Sequence, residues 1–517
     1  MRNDIQILST TKRFILSALI SLSALLSLSS ASQASPEIEL LRADLTRLVD
    51  DEACQSAHVG IAIQSVKNAT PLFLYNEKKR FVSASNMKLY TTAAALLSLS
   101  PDFSYETRVM TNGVITQGVL KGDFIVVASG DPTISGYFNN NNPTQVFEDW
   151  GNALIQKGIR KIEGDIVIDN TYFNDSPFGA GWHWDDLSRC YSTAKDAFSF
   201  NNNCMALTIS PGDKIGAPAI IAIEPKTDYM TVSANITTTG ANTAVDIKAG
   251  YINNSKTIVM SGTIPINHKN SIKYVAAKNP AEFGASVLKE TLLSKGIEAN
   301  GNIFCTRGSC NQVKDLKVLT TDGAQRSLTT LAVYRSPKLS EIIKVINKIS
   351  NNLYAENIFL TIAKERRKEG NSEEATLAVC EILKKAGLNT EGLYMVDGSG
   401  LSRFNLITPR ETVRLLSIMA RSPYAEAFYN SLAIPGGEGT LKDRRKGTSA
   451  AALINIRAKT GTMTHVRNLS GYVTTKNGEL LAFSFLCNNY NTTGTTIDNL
   501  YNRILAKLVG FTLPDPD

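Results

Sequence analysis

Apolar residues recur at helical spacing through 36–53 ("PEIELLRADLTRLVDDEA") and predict an opening helix. The pattern then shortens to two runs, "HVGIAIQSV" and "PLFLYN", parted by a polar turn, which predict a strand hairpin. The stretch "FVSASNMKLYTTAAALLSLS" (81–100) reads as an extended lead-in that becomes an Ala- and Leu-rich helix at Ser85. "SPDF" breaks that helix. From about 103 to 320 short β-branched runs alternate with Gly, Asn and Asp turns, and helical patterns interrupt only near 144–157 and 280–296. The most strand-like part is 206–268. Helical spacing returns in "LSEIIKVINKISNNLYAENIFLTIAKERR", "NSEEATLAVCEILKKAGL" and "TPRETVRLLSIMARS". Three strands follow, "INIRAKTGTM", "HVRNLSGYVTT" and "ELLAFSFLCNN", with "KNG" as a hairpin turn, and a last helix closes the chain. This order predicts an α+β domain split by a β-rich insertion.

Composition narrows the class. A chain of 517 residues with 43% hydrophobic and 20% charged positions is a soluble globular protein of more than one domain. The net charge of +7 comes without any Lys/Arg run interleaved with aromatics, so nucleic acid is not an expected partner. Residues 1–34 show the three parts of a secretory signal peptide: Arg2, Lys12 and Arg13, then "FILSALISLSALLSL", then small residues ending at Ala34. A retained membrane anchor is the alternative, but the run is short for a span and rich in serine. Export to the periplasm is the expectation. Among the seven cysteines, two pairs could close local loops in an oxidising compartment, Cys190 with Cys204 and Cys305 with Cys310. No Cys-x-x-Cys occurs and the four histidines are scattered, so no metal is expected.

The candidate chemistry starts at Ser85. Lys88 lies three positions on, on the same helix face, so a buried amine that loses proton affinity would serve as base to the serine hydroxyl. Ser-x-x-Lys alone is weak evidence, since Ser192–Lys195 and Ser286–Lys289 match it too. A second element, Ser350-Asn351-Asn352, falls between two helical patterns, with rivals at Ser199–Asn201 and Ser233–Asn235. The third, Lys459-Thr460-Gly461, occurs once and on a predicted strand, where lysine and threonine suit a carboxylate and glycine lets another backbone approach.

Together these three elements resemble the penicillin-recognising serine acyl-transferases. "ASGDPT", "GWHWDDLSRCYS", "DGSGLSRFNLITP", "GTLKDRRKGT" and "IRAKTGT" extend the resemblance to the D-alanyl-D-alanine carboxypeptidase/endopeptidase family, the class C low-molecular-mass penicillin-binding proteins of type four. It covers essentially the whole chain after residue 34. It implies Ser85 as nucleophile, Lys88 as its base and Ser350 as proton relay to the leaving group. Asn352 would bind the substrate amide, with Lys459, Thr460, Gly461 and Thr462 around the terminal carboxylate, and the N–H groups of Ser85 and Thr462 would form the oxyanion hole. Asp186, Tyr191, Arg403 and Met463 would line a side pocket for a diaminopimelyl side chain. Phe404 stands where the family commonly has His, and His183 and Asp185 also depart from its usual pattern, which bears on substrate preference.

The resemblance implies a transpeptidase/β-lactamase-like domain with a five-stranded antiparallel sheet between helices, split by two inserted subdomains. The expected division is catalytic domain 35–102 and 320–517, inserted domain II 103–205 and 269–319, and domain III 206–268. Stem peptides of peptidoglycan are the implied substrates, β-lactams the implied inhibitors, and no cofactor is implied. A β-lactamase and a non-catalytic wall-binding protein are the competing readings. The last helix has an apolar face that suits a membrane surface, although packing on the sheet is the expectation. Oligomeric state is not legible.

Overall fold

The computed structural model describes residues 35–50, 52–252, 255–308, 310, 312–314, 328–445 and 455–513. The expected signal peptide and part of "GTLKDRRKGT" lie outside the described residues.

The sheet that carries the site has five antiparallel strands in the order Pro71–Tyr75, His58–Ser65, Leu480–Asn488, Val466–Thr474, Ile456–Met463. The early hairpin thus pairs with the last strand of the chain, Ile61 opposite Phe485. Most residues of Leu480–Asn488 are buried on both faces, which is why the sequence there is a continuous apolar run and not an alternation. On one face lie the helices Pro36–Val49 and Gly494–Gly510, joined through Leu41, Leu45, Ile497, Tyr501 and Ile504 to Ile61, Phe483 and Phe485. The apolar stripe of the last helix is spent on this core, since Ile497, Leu500, Tyr501, Ile504 and Leu505 are all buried. No helix among the described residues is long and apolar enough to cross a membrane.

The other face holds Pro409–Ala420 and the central helix Met87–Leu99, which packs in turn on Asn352–Arg367 and Ser372–Lys385. Residues 87–96 of the central helix are buried without exception. Small Ala93, Ala94 and Ala95 let neighbouring helices approach, and this close packing keeps water from Lys88 one turn earlier.

The insertion leaves after this helix. Its first sheet has the order Ile303–Cys305, Ile166–Asp169, Phe124–Val127, Glu106–Thr111, Thr329–Arg335. A four-stranded sheet (Glu298–Ala299, Lys161–Ile162, Val119–Lys121, Val114–Thr116) accompanies it, with helices Gln145–Gln156 and Pro280–Ser294. Two three-stranded sheets follow, Ile220–Glu224/Cys204–Ser210/Ser271–Ala276 and Thr231–Thr239/Thr257–Pro265/Asp246–Tyr251.

Two strand pairings cross the expected boundaries. Thr329–Arg335, which lies beyond 320, pairs with Glu106–Thr111 in the first sheet of the insertion. That strand lies at the sheet edge, with Leu331 its one buried residue. Cys204–Ser210 runs through the expected boundary at 206 and pairs with Ser271–Ala276, which lies beyond the one at 268. Both pairings join strands distant in sequence, which local pattern does not encode. The two expected disulfides form, Cys190–Cys204 and Cys305–Cys310, with Cα separations of 5.8 and 5.4 Å.

Candidate active site

Ser85 sits in a single 3₁₀ turn, Ala84–Asn86, which opens the central helix. Ala84 adopts φ 40°, a left-handed conformation costly for a residue with a Cβ. Side chains from the sheet hold this turn in place. Asn86 donates to the Lys459 carbonyl (2.9 Å) and accepts from Ser470 Oγ (2.9 Å), while Asn468 Nδ2 donates to the carbonyls of Val82 and Ser83 (2.9 Å each). Gly400 allows the tightest approach: a Cβ there would lie 1.8 Å from the Ala84 oxygen, and its φ of 81° is left-handed.

Lys88 has no exposed surface. Its Nζ lies 2.9 Å from Ser85 Oγ, 2.5 Å from Asn352 Oδ1 and 2.7 Å from the Ser399 carbonyl. Burial pushes its pKa down to about 7, against the opposing pull of the Glu356 and Asp397 carboxylates. A large share of this amine is therefore neutral at physiological pH, with its lone pair available to the serine hydroxyl. Asp397 is held by Gly400 N (2.8 Å), Ser402 N (2.7 Å), Asn405 Nδ2 (2.8 Å) and Trp182 Nε1 (3.0 Å). Glu356 is fully buried; Oε1 accepts from Ser399 N (2.8 Å) and Oε2 has no partner among the described residues. Burial, then the Asp397 charge, pushes this carboxyl up to about 7.

The second element arrives through a helix defect. Leu339–Lys344 widens into a π turn, Val345–Ile349, and ends at Ser350, whose φ is 65°. The chain restarts at Asn352 under an Asn351 cap, Oδ1 accepting from Tyr354 N at 3.1 Å. This break turns Ser350 and Asn352 inward together. Lys459 Nζ donates to Ser350 Oγ (2.9 Å), and Lys459 is wholly buried, its pKa pushed well down by burial and then by the charge of Lys88.

Ile456–Met463 is the edge strand of the sheet. Ala458 exchanges both backbone hydrogen bonds with Ala433, away from the sheet, so Thr460 and Thr462, two and four residues on, present N–H and C=O to the same open side. Thr462 N–H therefore points out of the sheet, away from Val466–Thr474. Gly461 is buried, and the backbone that comes close to it is the turn that carries Ser85, 3.0 Å from an added Cβ to the Ser83 oxygen.

Ser85, Ser350, Asn352 and Thr462 open on a cleft of ≈ 600 Å³ that Asp186, Tyr191, Arg403 and Met463 also line. Tyr191 hydroxyl donates to Asp186, whereas Arg403 donates to the Thr464 carbonyl at 2.5 Å. The acid and the arginine thus remain unpaired with one another and face a common space. The structure adds His183 and Asp185 to the lining. Phe404 is 56% exposed, and its ring would lie 2.8 Å from a Cβ on Gly181, in the loop that leads to Asp186. The rival Ser-x-x-Lys pairs do not assemble. Lys195 turns to Asp175 and Lys289 to the Gly301 carbonyl. Sequence reasoning missed Glu356, Asn86 and Asn468. Glu356 had a signal, being the one charged residue of the apolar stretch "LYAENIFL", four positions after Asn352.

A serine at the start of a buried helix, a dry lysine beside it and a Ser-x-Asn loop over an edge strand define the transpeptidase-like class of serine hydrolases. Residues 41–508 match the D-Ala-D-Ala carboxypeptidase 3 (S13) family. The chain is 29% identical over 446 residues to the D-alanyl-D-alanine carboxypeptidase DacB of Haemophilus influenzae, covering 85% of this chain and 87% of that one. It is 29% identical over 462 residues to a D-alanyl-D-alanine carboxypeptidase of an Actinomadura species, covering 87% and 81%. The crystal structure of penicillin binding protein 4 from Haemophilus influenzae is similar at a TM-score of 0.76 and 26% identity, over 91% of this chain and 99% of that one. The same protein complexed with a β-lactam gives a TM-score of 0.70 at 25% identity. The chain belongs to the D-Ala-D-Ala carboxypeptidase 3 (S13) family, and it is a serine-type enzyme of that family.

Proposed function

We propose that this protein is an exported peptidase that cleaves D-Ala-D-Ala-type bonds of peptidoglycan through an acyl-enzyme on Ser85, and that β-lactams acylate the same serine. The observation that carries the reading is the Lys88 amine, sealed from water and 2.9 Å from Ser85 Oγ, at the floor of the cleft. Neutral Lys88 takes the hydroxyl proton as Oγ attacks the carbonyl carbon. The N–H groups of Ser85 and Thr462 hold the developing oxyanion, where loss of one donor typically costs about 3 kcal/mol. Ser350 relays the proton from Lys88 to the leaving D-alanine amine, giving up its own and taking the one Lys88 holds, and Lys459 keeps that hydroxyl oriented from behind. Water then cleaves the ester. Asn352 and the open edge at Thr460 and Thr462 would grip the extended substrate, with Lys459 behind them, donating to Ser350 Oγ and the Thr460 carbonyl. Asp186 and Arg403 suit the zwitterionic end of a diaminopimelyl side chain, with Tyr191 and Met463 against its methylenes.

Two disulfides support an oxidising compartment, hence removal of 1–34 as a signal peptide. We take 35–102 and the chain from about 336 as the catalytic domain, with everything between as the insertion. The test is intact mass after exposure to benzylpenicillin, beside Ser85→Ala. A persistent adduct on the unmutated protein alone is expected. Hydrolysed drug without an adduct would instead indicate a β-lactamase, and intact drug without an adduct would reject the acyl-enzyme.

A further inference from the structure

The cleft does not end at Ser350. Beyond the hydrogen bond from Asn352 Nδ2 to the Tyr191 carbonyl (2.6 Å), a second hollow of ≈ 340 Å³ opens. It shares Tyr191, Ser350 and Asn352 with the catalytic cleft, and its far wall includes Asn201, Asn202, Tyr274 and Ile349. The Cys190–Cys204 bridge joins two of its lining residues and so fixes the loop before Asn201 to the strand after it.

Its chemistry differs from that of the catalytic cleft. Asp185, Asp186 and Arg403 line the cleft, whereas no lining residue of the hollow carries a charge. Tyr274 stands opposite Ala206 in the strand register and is 62% exposed, so a face of its ring is open. Asn201, Asn202 and Asn203 form a run of left-handed residues with φ 48°, 56° and 54°. Asparagine tolerates this conformation better than most residues, yet three in succession persist only when their surroundings hold them. Asn203 Oδ1 accepts from Phe200 N (3.1 Å), and Asn351 Nδ2 donates to Asn202 Oδ1 (2.8 Å). Asn202 Nδ2, Asn201 Oδ1 and the Tyr274 hydroxyl have no partner among the described residues, although Asn201 Nδ2 donates to the Cys204 carbonyl (3.0 Å).

Carboxamides with spare hydrogen-bonding capacity beside an open aromatic face match a sugar ring, which offers a C–H face for stacking and hydroxyl and acetamido groups around its rim. A stem peptide carries carboxylates, and these would be desolvated here without a countercharge. We propose that this hollow binds uncharged N-acetylhexosamine units of the glycan strand whose stem peptide occupies the catalytic cleft. The inference rests on the peptidase reading and deepens it by assigning a second part of the same substrate.

The test separates the two. Titrating full-length mature protein with tri-N-acetylchitotriose, followed by NMR or calorimetry, needs no catalysis. Saturable binding is expected, weakened about tenfold by Tyr274→Ala, the worth of one aromatic face, and largely retained by Tyr274→Phe. Asn202→Ala should also weaken it. Benzylpenicillin acylation should be the same in all three variants as in the unmutated protein, which also shows that they are folded. No saturable binding, or binding indifferent to Tyr274→Ala, overturns the sugar site whatever the acylation result. Binding only by a peptide lacking sugars, lost in Tyr274→Ala, would likewise overturn it in favour of a peptide subsite. Loss of acylation in the unmutated protein would count against the peptidase reading while the titration still judged the hollow.

Discussion

At the scale of single residues, the site turns on how burial redistributes protons between Lys88 and its neighbours. Lys88, Lys459, Glu356 and Asp397 share one dry region, in which each charge alters the cost of the next. With Lys88 near 7, acylation should rise with pH on a limb centred close to that value, since only the neutral amine accepts the serine proton. Glu356 ionises over the same range and, once charged, holds the proton on Lys88 more firmly, so the limb should be broad. Glu356→Gln removes that pull, and the limb should sharpen and move to lower pH. The measurement is the second-order rate of β-lactam acylation between pH 5 and 9. A limb unchanged by the substitution would mean that Lys88 does not sense Glu356. The same residue shows how a site escapes sequence reading: a glutamate inside an apolar helix announces burial, but not whose proton it controls.

At the scale of elements, function is built from irregularities in otherwise ordinary helices and strands. A 3₁₀ turn positions Ser85, a π turn with a left-handed end positions Ser350, and an unpaired sheet edge presents Thr462. Each was legible only as an approximate place: a helix start, an interhelical loop, a strand. Their close contacts were not, because glycine patterns do not say which backbone comes near. Gly400→Ala should demonstrate this coupling. A Cβ driven to 1.8 Å from the Ala84 oxygen must displace the nucleophile turn, and the left-handed backbone adds its own cost of about 1 kcal/mol. Acylation should fall by roughly two orders of magnitude, with a loss of stability in a denaturant titration. Full acylation by the variant would mean that the turn tolerates the shift.

At the scale of the whole molecule, the insertion is fastened to the catalytic domain through buried polar contacts next to the loop that bears Asp186 and Tyr191. Trp182 Nε1 reaches Asp397 (3.0 Å), and Lys195 Nζ reaches Asp175 (2.5 Å) and Ser372 Oγ (3.2 Å), the last on a catalytic-domain helix. The Lys195 side chain is 2% exposed, so Lys195→Ala strands a largely buried carboxylate. Breaking such a pair costs about 3 kcal/mol. Unfolding free energy should drop by that order, and KM for stem peptides should rise more than kcat falls, because Lys88 and Ser85 keep their own supports. Equal effects on both constants, measured with a pentapeptide substrate, would contradict a positioning role for this clamp.

By itself, the sequence determined the element order, the strands at each end of the chain, the two disulfides and the three motifs. These are local signals: hydrophobic period, turn residues, cysteine spacing and short residue sets each act within a few positions. Tertiary structure alone decided that Thr329–Arg335 pairs with Glu106–Thr111 and that Gly461 receives the protein's own turn. It also decided that Glu356 stands behind Lys88, and that an uncharged hollow continues the cleft past Asn352. Those features depend on which distant segments share a dry space, and the free energy of a charge or a backbone contact is set by that space and not by its neighbours in the chain.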